Sequence, residues 1–107
     1  MIYELREYTT VPGRMGDVVK RFNDHAIALF KKHGMDLMFI SKTEFGDVSN
    51  NELVFALRFD SYGDMEHKWH AFHGDPAWQT VRAESEKDGP LVSTVRRRIL
   101  DPTAFRA

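Results

Sequence analysis

The chain has 107 residues, 42% hydrophobic and 29% charged, values ordinary for one globular domain with a modest core. Fifteen basic and sixteen acidic residues give a net charge of −1, so no strong field attracts nucleic acid or an anionic membrane. The absence of cysteine excludes disulfides, thiolate chemistry and cysteine-ligated metals. No apolar run approaches the roughly 18 residues that span a bilayer, and no secretory pattern opens the sequence. We therefore expect a single cytoplasmic domain over residues 1–107, without nucleic-acid or membrane partners.

The first strand and the first helix are clear from periodicity. Alternation over Ile2–Thr10 predicts a strand, one face of which carries Ile2, Glu4, Arg6 and Tyr8. A Pro-Gly turn then leads into a helix over Arg14–His33, whose apolar residues recur at i, i+3/i+4 and i+7. Basic residues in its last turn, followed by Gly34, are typical of a helix C-terminus.

Two strands and two shorter helices are expected next. The strands are predicted over Leu37–Phe45 and Glu52–Asp60, with a turn-rich loop over Gly46–Asn51 between them. Ser61 is a helix cap with Asp64 three residues later, and the inner stripe of this helix is Met65, Trp69 and Phe72. The Asp-Pro step at 75–76 interrupts the helical pattern, which resumes over Ala77–Lys87.

A final strand over Leu91–Leu100 is followed by a tail in which Phe105 is expected to act as a hydrophobic latch. The order β-α-β-β-α-(α)-β predicts an α+β, ferredoxin-like fold with a four-stranded antiparallel sheet and its helices on one face. Strand Glu52–Asp60 is nevertheless apolar on both faces, with Val54 and Ala56 on the second one. The simplest cover for that face is a second copy of the chain, which predicts a homodimer through the sheet face.

Five stretches of sequence carry a family resemblance. They are IYELREYT, the PGR turn into a helix ending KKHG, the strand into FDS, the helix into DPAWQ, and RRRILDPTAF. On these the chain resembles, over essentially its whole length, the NIPSNAP family of the dimeric α+β barrel superfamily. The resemblance implies a homodimer whose two sheets form a barrel, with a pocket between sheet and helices in each subunit.

The same resemblance implies little chemistry, since the family has no agreed reaction. Related barrels include cofactor-free monooxygenases, haem-degrading oxygenases and lactone isomerases, and no cofactor is expected for this chain. Family members often carry histidine at the position of Phe55, where this chain departs from the pattern.

Glu4, Arg6 and Tyr8 share one strand face and have two interpretations. In the first they form the polar floor of a pocket, where Arg6 receives a carboxylate or carbonyl oxygen and Tyr8 donates a hydrogen bond. In the second, which we weight slightly more, Glu4 and Arg6 pair with each other, or across the dimer, in a buried polar seam.

The histidines favour plain structural roles over metal binding. His67 and His70 rotate away from the apolar stripe toward solvent, and no acidic residue completes a ligand set, so we predict no metal site. His73 lies nearer the flank of the helix and can edge a pocket, and His33 is explained by its helix C-terminus. His25 borders the first helix's apolar stripe; a structural hydrogen bond is favoured, and it is our candidate acid–base residue if a reaction occurs.

Large aromatic side chains are the candidate pocket walls. Helical spacing favours core packing for Trp69 and Phe72, whereas Trp78, just after the proline break, is the better candidate for a pocket rim. We assign Phe55, Trp69 and Trp78 as walls of the predicted pocket. Arg97 shares a face with Val95 and Ile99 and is expected to be a buried or interface charge.

Two functions remain open from the sequence. The leading hypothesis is a homodimer that binds a small apolar or aromatic molecule, acting if an enzyme as a cofactor-independent oxygenase or isomerase of an aromatic or keto compound. The alternative is a non-catalytic dimeric interaction module with a vestigial pocket. A cavity of a few hundred Å³ lined by convergent polar groups favours the first, and a filled interior favours the second.

Overall fold

The computed structural model describes residues 1–106 and has the predicted α+β, ferredoxin-like architecture. The strands are β1 (Ile2–Thr10), β2 (Asp36–Lys42), β3 (Glu52–Phe59) and β4 (Val92–Leu100). The helical segments are α1 (Met15–Arg21), a π-helical segment (Phe22–Ala26), α2 (Ile27–Lys32), α3 (Tyr62–Gly74) and α4 (Pro76–Ser85). Within residues 1–106, no helix has the length and apolar character required to cross a bilayer.

The four strands form one antiparallel sheet in the order β2-β3-β1-β4. β1 is therefore central, and Arg6 is paired with Phe55 of β3 on one side and with Arg97 of β4 on the other. Because residues directly opposite on antiparallel strands share a face, this register brings together side chains far apart in sequence.

The first helix is continuous but is not α-helical throughout. The backbone N–H of Ile27 bonds to the carbonyl of Phe22, five residues earlier, so one turn is widened. This turn lies where the prediction had a uniform helix over Arg14–His33. It keeps Phe22 and Ala26 buried, and π-helical turns of this kind occur frequently at functional sites.

Asp75 joins the end of the first helix to the junction of α3 and α4. Its carboxylate accepts from the backbone N–H of Ala77 at 2.9 Å, which caps α4, and from Nζ of Lys32 at 2.8 Å. Nε2 of His33 lies 2.7 Å from the same carboxylate. His33, predicted to serve only its own helix end, therefore also fixes the position of the α3–α4 turn.

The core lies between the sheet and the helices and is strongly aromatic. Phe55 has no exposed surface, and its ring centroid is 5.3 Å from Tyr8, 5.4 Å from Phe22 and 5.7 Å from Phe30. Phe30 in turn stacks on Phe72 at 5.2 Å. These rings hold the first helix and α3 against β1 and β3, where the candidate site lies.

Within residues 1–106, no helix packs against the opposite sheet face, which is partly apolar. On this open face Ala56 of β3 is paired with Leu5 of β1 and with Phe39 of β2, and the Phe39 side chain is 48% exposed. Two ion pairs flank these side chains, Arg58 with Asp36 and Arg98 with Glu7. The sequence prediction that helices cover only one face is confirmed.

Two local predictions were wrong. The second strand, expected to reach Phe45, ends at Lys42, because the chain then turns through a loop in which Asn50 donates to the carbonyl of Thr43. Phe105 is 77% exposed, so it does not latch onto the core of its own chain.

Candidate ligand-binding site

A buried carboxylate lies at the centre of the helix-facing side of β1. Glu4 has no exposed surface, and its Oε1 accepts a 2.6 Å hydrogen bond from Nε1 of Trp69. Its Oε2 accepts from Nε of Arg97 and, at 3.4 Å, from a terminal nitrogen of Arg6. A buried charge is tolerated when it is paired and hydrogen-bonded, and the three donors meet this condition for the Glu4 carboxylate. The carboxylate in turn holds the three donor side chains in place. The predicted pairing of Glu4 with Arg6 is confirmed.

Arg6 is held at the site by its neighbours and still has an unused donor. The guanidinium carbon lies 4.4 Å from the Trp69 ring centroid and 5.5 Å from that of Tyr8, within the range of cation–π attraction. Arg97 is directly opposite on β4, and this pair of like charges is offset by Glu4. Among residues 1–106, Nε of Arg6 is one of two buried side-chain nitrogens without a hydrogen-bond partner.

Two cavities share Arg6, Trp69 and His73 as walls. The outer cleft, of about 430 Å³, opens between α3 and strands β1 and β4, and its other lining residues are Tyr62, Met65, Glu66 and Arg97. The inner cavity, of about 50 Å³, lies between sheet and helices and adds Tyr8, Arg21, Phe22, Ala26, Phe30, Phe72 and Trp78. The inner cavity therefore has mostly aromatic walls, and the outer cleft combines charged side chains with Tyr62 and Trp69.

Arg21 is the second arginine of the inner cavity, and sequence reasoning missed it. Its side chain is only 7% exposed, its guanidinium carbon is 5.4 Å from the Trp78 ring centroid, and NH1 donates to Oγ of Ser85 at 3.3 Å. Glu86 is 3.7 Å away, and Nε is the second buried nitrogen without a partner among residues 1–106. One feature of the sequence could have identified it. Arg21 is a charged residue three positions after Val18 and directly before Phe22, at the border of the apolar stripe of the first helix.

The site has a neutral acid and a neutral base at neutral pH. Burial raises the pKa of the Tyr8 hydroxyl above its ordinary value, and the nearby Arg6 and Arg21 oppose that rise without cancelling it. Burial also lowers the pKa of His73, and the positive charges of Arg6, Arg82 and Arg97 lower it further. Tyr8 is therefore a hydrogen-bond donor, and His73 can accept a proton.

The predicted site residues are only partly brought together. Arg6, Tyr8, Trp69 and Trp78 line the inner cavity, and Glu4 is fully enclosed behind the outer cleft, where it positions Arg6, Arg97 and Trp69. Phe55 lines neither cavity, because it is enclosed among Tyr8, Phe22 and Phe30; its assignment as a pocket wall was wrong.

His25 lies apart from this cluster. It is an exposed residue of the π-helical segment and lines a groove of about 340 Å³ between the first helix and α4, together with Asp17, Asp24 and Thr80. Arg21 borders both that groove and the inner cavity. The acid–base role predicted for His25 stays a prediction, and His73 is the histidine that borders the Arg6 cluster.

The other helix histidines face solvent, as expected. His67 and His70 are exposed on α3. Within residues 1–106, no group of three His, Asp or Glu side chains is placed to hold a metal ion.

Known structures share this fold over nearly the whole chain. An uncharacterised NIPSNAP domain protein from Burkholderia xenovorans is 20% identical, with a TM-score of 0.84 over 100% of this chain and 99% of that one. A protein from Agrobacterium tumefaciens is 27% identical, with a TM-score of 0.84 over 98% of this chain and 96% of that one.

A more distant structure extends the likeness to another group. A Deinococcus radiodurans protein named as a candidate antibiotic biosynthesis monooxygenase is 14% identical, with a TM-score of 0.62 over 94% of this chain and 91% of that one. At this identity the likeness concerns the fold alone. No curated protein matches the chain. The NIPSNAP family itself matches over residues 3–107, so the chain belongs to the NIPSNAP family.

Proposed function

We propose that this chain binds a small aromatic or keto compound in the outer cleft and inner cavity, with Arg6 as its polar anchor. The observation that carries the proposal is Arg6 itself, which lines both the open cleft of about 430 Å³ and the inner cavity and has a buried Nε without a hydrogen-bond partner. An unpaired buried donor costs about 1–3 kcal/mol, and a ligand oxygen that accepts from it removes this cost. The surrounding aromatic side chains favour an apolar body on the same ligand.

The side chains that line the outer cleft favour ligand binding over the alternative of an interaction module with a vestigial pocket. A vestigial pocket is expected to be filled by side chains, whereas the outer cleft retains about 430 Å³ and has Arg6, Arg97 and His73 on its walls. Convergent polar groups on a space of this size are typical of small-molecule sites.

The proposed chemistry, if the ligand is turned over, is cofactor-independent oxygenation or isomerisation of an aromatic or keto compound. Isomerisation removes a proton from the carbon next to a carbonyl, and oxygenation begins by removing such a proton or that of a phenol hydroxyl. In oxygenation dioxygen is the oxidant, with one oxygen atom entering the substrate and the other leaving as water; both reactions pass through an oxyanion that the site must stabilise. His73 is the proposed proton acceptor because its pKa is lowered, and Arg6 with the Tyr8 hydroxyl is proposed to stabilise the oxyanion.

We also propose that the protein is a homodimer through the open face of the sheet. The support is the row Leu5, Ala56 and Phe39, an apolar strip that lies across β1, β3 and β2 and that no helix of residues 1–106 covers. Burying this face against a copy of itself removes apolar surface from water on both partners and satisfies two-fold symmetry.

Native mass spectrometry of the purified protein tests both proposals at once. A dimer with an additional mass of a few hundred daltons supports both, and a monomer at micromolar concentration contradicts the dimer. Phe39→Asp is expected to shift the dimer toward monomer, with Phe45→Asp as the control, because Phe45 is 97% exposed in a loop. Equal effects of the two substitutions would argue against the open face as the interface.

Acetophenone, an aromatic ketone, is a suitable probe of the binding site. The chain has two tryptophans, and both line the inner cavity, so their indole N–H signals in a ¹H–¹⁵N NMR spectrum report on the site. Saturable shifts of these signals are expected with the native protein, and Arg6→Ala should weaken binding at least tenfold while the dimer persists. Loss of the dimer in Arg6→Ala would instead make Arg6 a structural residue.

A further inference from the structure

The charges around the inner cavity are out of balance. Glu4 is shared by Arg6 and Arg97, and Glu86 is shared by Arg21 and Arg82. Four guanidinium groups thus share two carboxylates, and the only charged side chains among these six that line the inner cavity are the guanidinium groups of Arg6 and Arg21. Glu66 is a further carboxylate at the exposed rim of the outer cleft.

The two arginines that have an unpartnered buried nitrogen line the same cavity. Nε of Arg6 and Nε of Arg21 are both buried, and both arginines line the inner cavity of about 50 Å³. Tyr8 lines it as well and lies within the electrostatic influence of both guanidinium groups. Since a water molecule occupies roughly 30 Å³ of liquid volume, the cavity has room for a small group such as a carboxylate and not for an aromatic ring.

We propose that the ligand of this site is an organic acid, with its carboxylate in the inner cavity between Arg6 and Arg21 and its aromatic body toward the outer cleft. This inference rests on the proposed binding function and narrows it to an anionic ligand class. A carboxylate supplies the two negatively charged acceptor oxygens that the paired guanidinium donors lack, and such charge-assisted hydrogen bonds are the strong ones. Trp69 and His73, which stack with ring centroids 5.2 Å apart, form the walls that both cavities share.

The lowered pKa of His73 reflects in part the positive charge of the same arginines. Burial is the largest cause of the lowered pKa; the positive charges of Arg6, Arg82 and Arg97 lower it further, and Glu4 opposes them more weakly. A site that disfavours a second cation favours an anion for the same electrostatic reason.

Benzoate and benzamide provide the test, because they have nearly the same shape and differ in charge. Titrations followed by the two tryptophan indole signals are expected to give benzoate an affinity at least tenfold higher than that of benzamide. Arg6→Gln and Arg21→Gln should each lower the affinity for benzoate at least tenfold and the affinity for benzamide less than threefold. Arg14→Gln is the matched control, since Arg14 pairs with Asp17 on the surface of the first helix, and it should change neither affinity more than twofold.

Circular dichroism and the mass of the dimer in native mass spectrometry establish whether each variant is folded. If Arg21→Gln does not fold, Arg21→Lys takes its place. Lysine retains the charge but lacks Nε, so Arg21→Lys should lose part of the benzoate affinity and leave benzamide unchanged.

Equal affinity of benzoate and benzamide, or an Arg21 variant with native benzoate affinity, would overturn the organic-acid proposal while acetophenone binding still supported the broader one. If benzoate, benzamide and acetophenone all left the indole signals unchanged at millimolar concentration, both proposals would fail.

Discussion

Trp69 and Glu4 are 65 residues apart in the chain, yet the indole N–H of the first donates a 2.6 Å hydrogen bond to the fully buried carboxylate of the second. This bond attaches α3 to the central strand. Because the same carboxylate also accepts from Arg6 and Arg97, it couples the packing of a helix to the positions of two arginines at the candidate site.

Glu4→Gln should destabilise the protein strongly. The substitution leaves the two arginines without their shared negative charge, and breaking a buried ion pair in this way costs about 3–5 kcal/mol. Urea unfolding at a fixed protein concentration measures the change in the free energy of unfolding. Asp17→Asn, which removes an exposed carboxylate paired with Arg14, is the control and should cost less than about 1 kcal/mol. A Glu4→Gln protein as stable as this control would show that the buried cluster contributes little.

Asp75 should make stability depend on pH in the acidic range. Hydrogen bonds from Lys32, His33 and the Ala77 backbone N–H hold the pKa of this carboxyl well below its usual range in the folded state. Its contribution is therefore fully present above the unfolded-state pKa of about 3.9 and is lost as the pH falls further toward the folded-state value. Asp75→Asn retains a capping oxygen without the charge. Urea unfolding at pH 7, 5 and 3 should show a smaller loss of stability below pH 4 in the variant, and parallel curves would contradict this role.

His73 should remain neutral to a lower pH than an ordinary histidine. Burial and the charges of Arg6, Arg82 and Arg97 lower its pKa, so an NMR titration of the five histidines should give His73 a midpoint below about 6.5. Arg82→Gln removes one of these charges at an exposed position and should raise the pKa of His73. His67, exposed on the same helix, is the internal reference, and its midpoint should not respond. An unchanged His73 midpoint in Arg82→Gln would mean that solvent screens this arginine completely.

Phe55→Ala should reduce stability by about 3–5 kcal/mol, the usual cost of a large cavity in a packed core. Phe55 has no exposed surface and contacts three aromatic rings, whereas Phe45 is 97% exposed. The matched substitution Phe45→Ala should change the free energy of unfolding by less than about 0.5 kcal/mol. Chemical denaturation of both variants measures the difference, and similar costs would place Phe55 outside the cooperative core.

Much of this fold follows from the sequence because its signals are local. Alternation over Ile2–Thr10 indicates a strand and the face shared by Glu4, Arg6 and Tyr8, since successive side chains of a strand point to opposite sides. The Asp-Pro break at 75–76 and the Ser61 cap define where α3 and α4 begin, because such residues satisfy the free N–H groups of a first turn.

Only the tertiary structure decides which side chains meet. The strand register pairs Arg6 with Arg97, and the packing of the first helix against α4 buries Arg21 beside Trp78 and Ser85, although neither contact has a periodicity that marks it in the sequence. The π-helical turn depends on backbone hydrogen bonding that spans five residues instead of four, as from Ile27 to Phe22. Side-chain periods determine the faces of strands and helices, but long-range pairing and packing determine which faces meet. The inner cavity, with Arg6 on a strand and Arg21 on a helix, forms only because those two faces pack together.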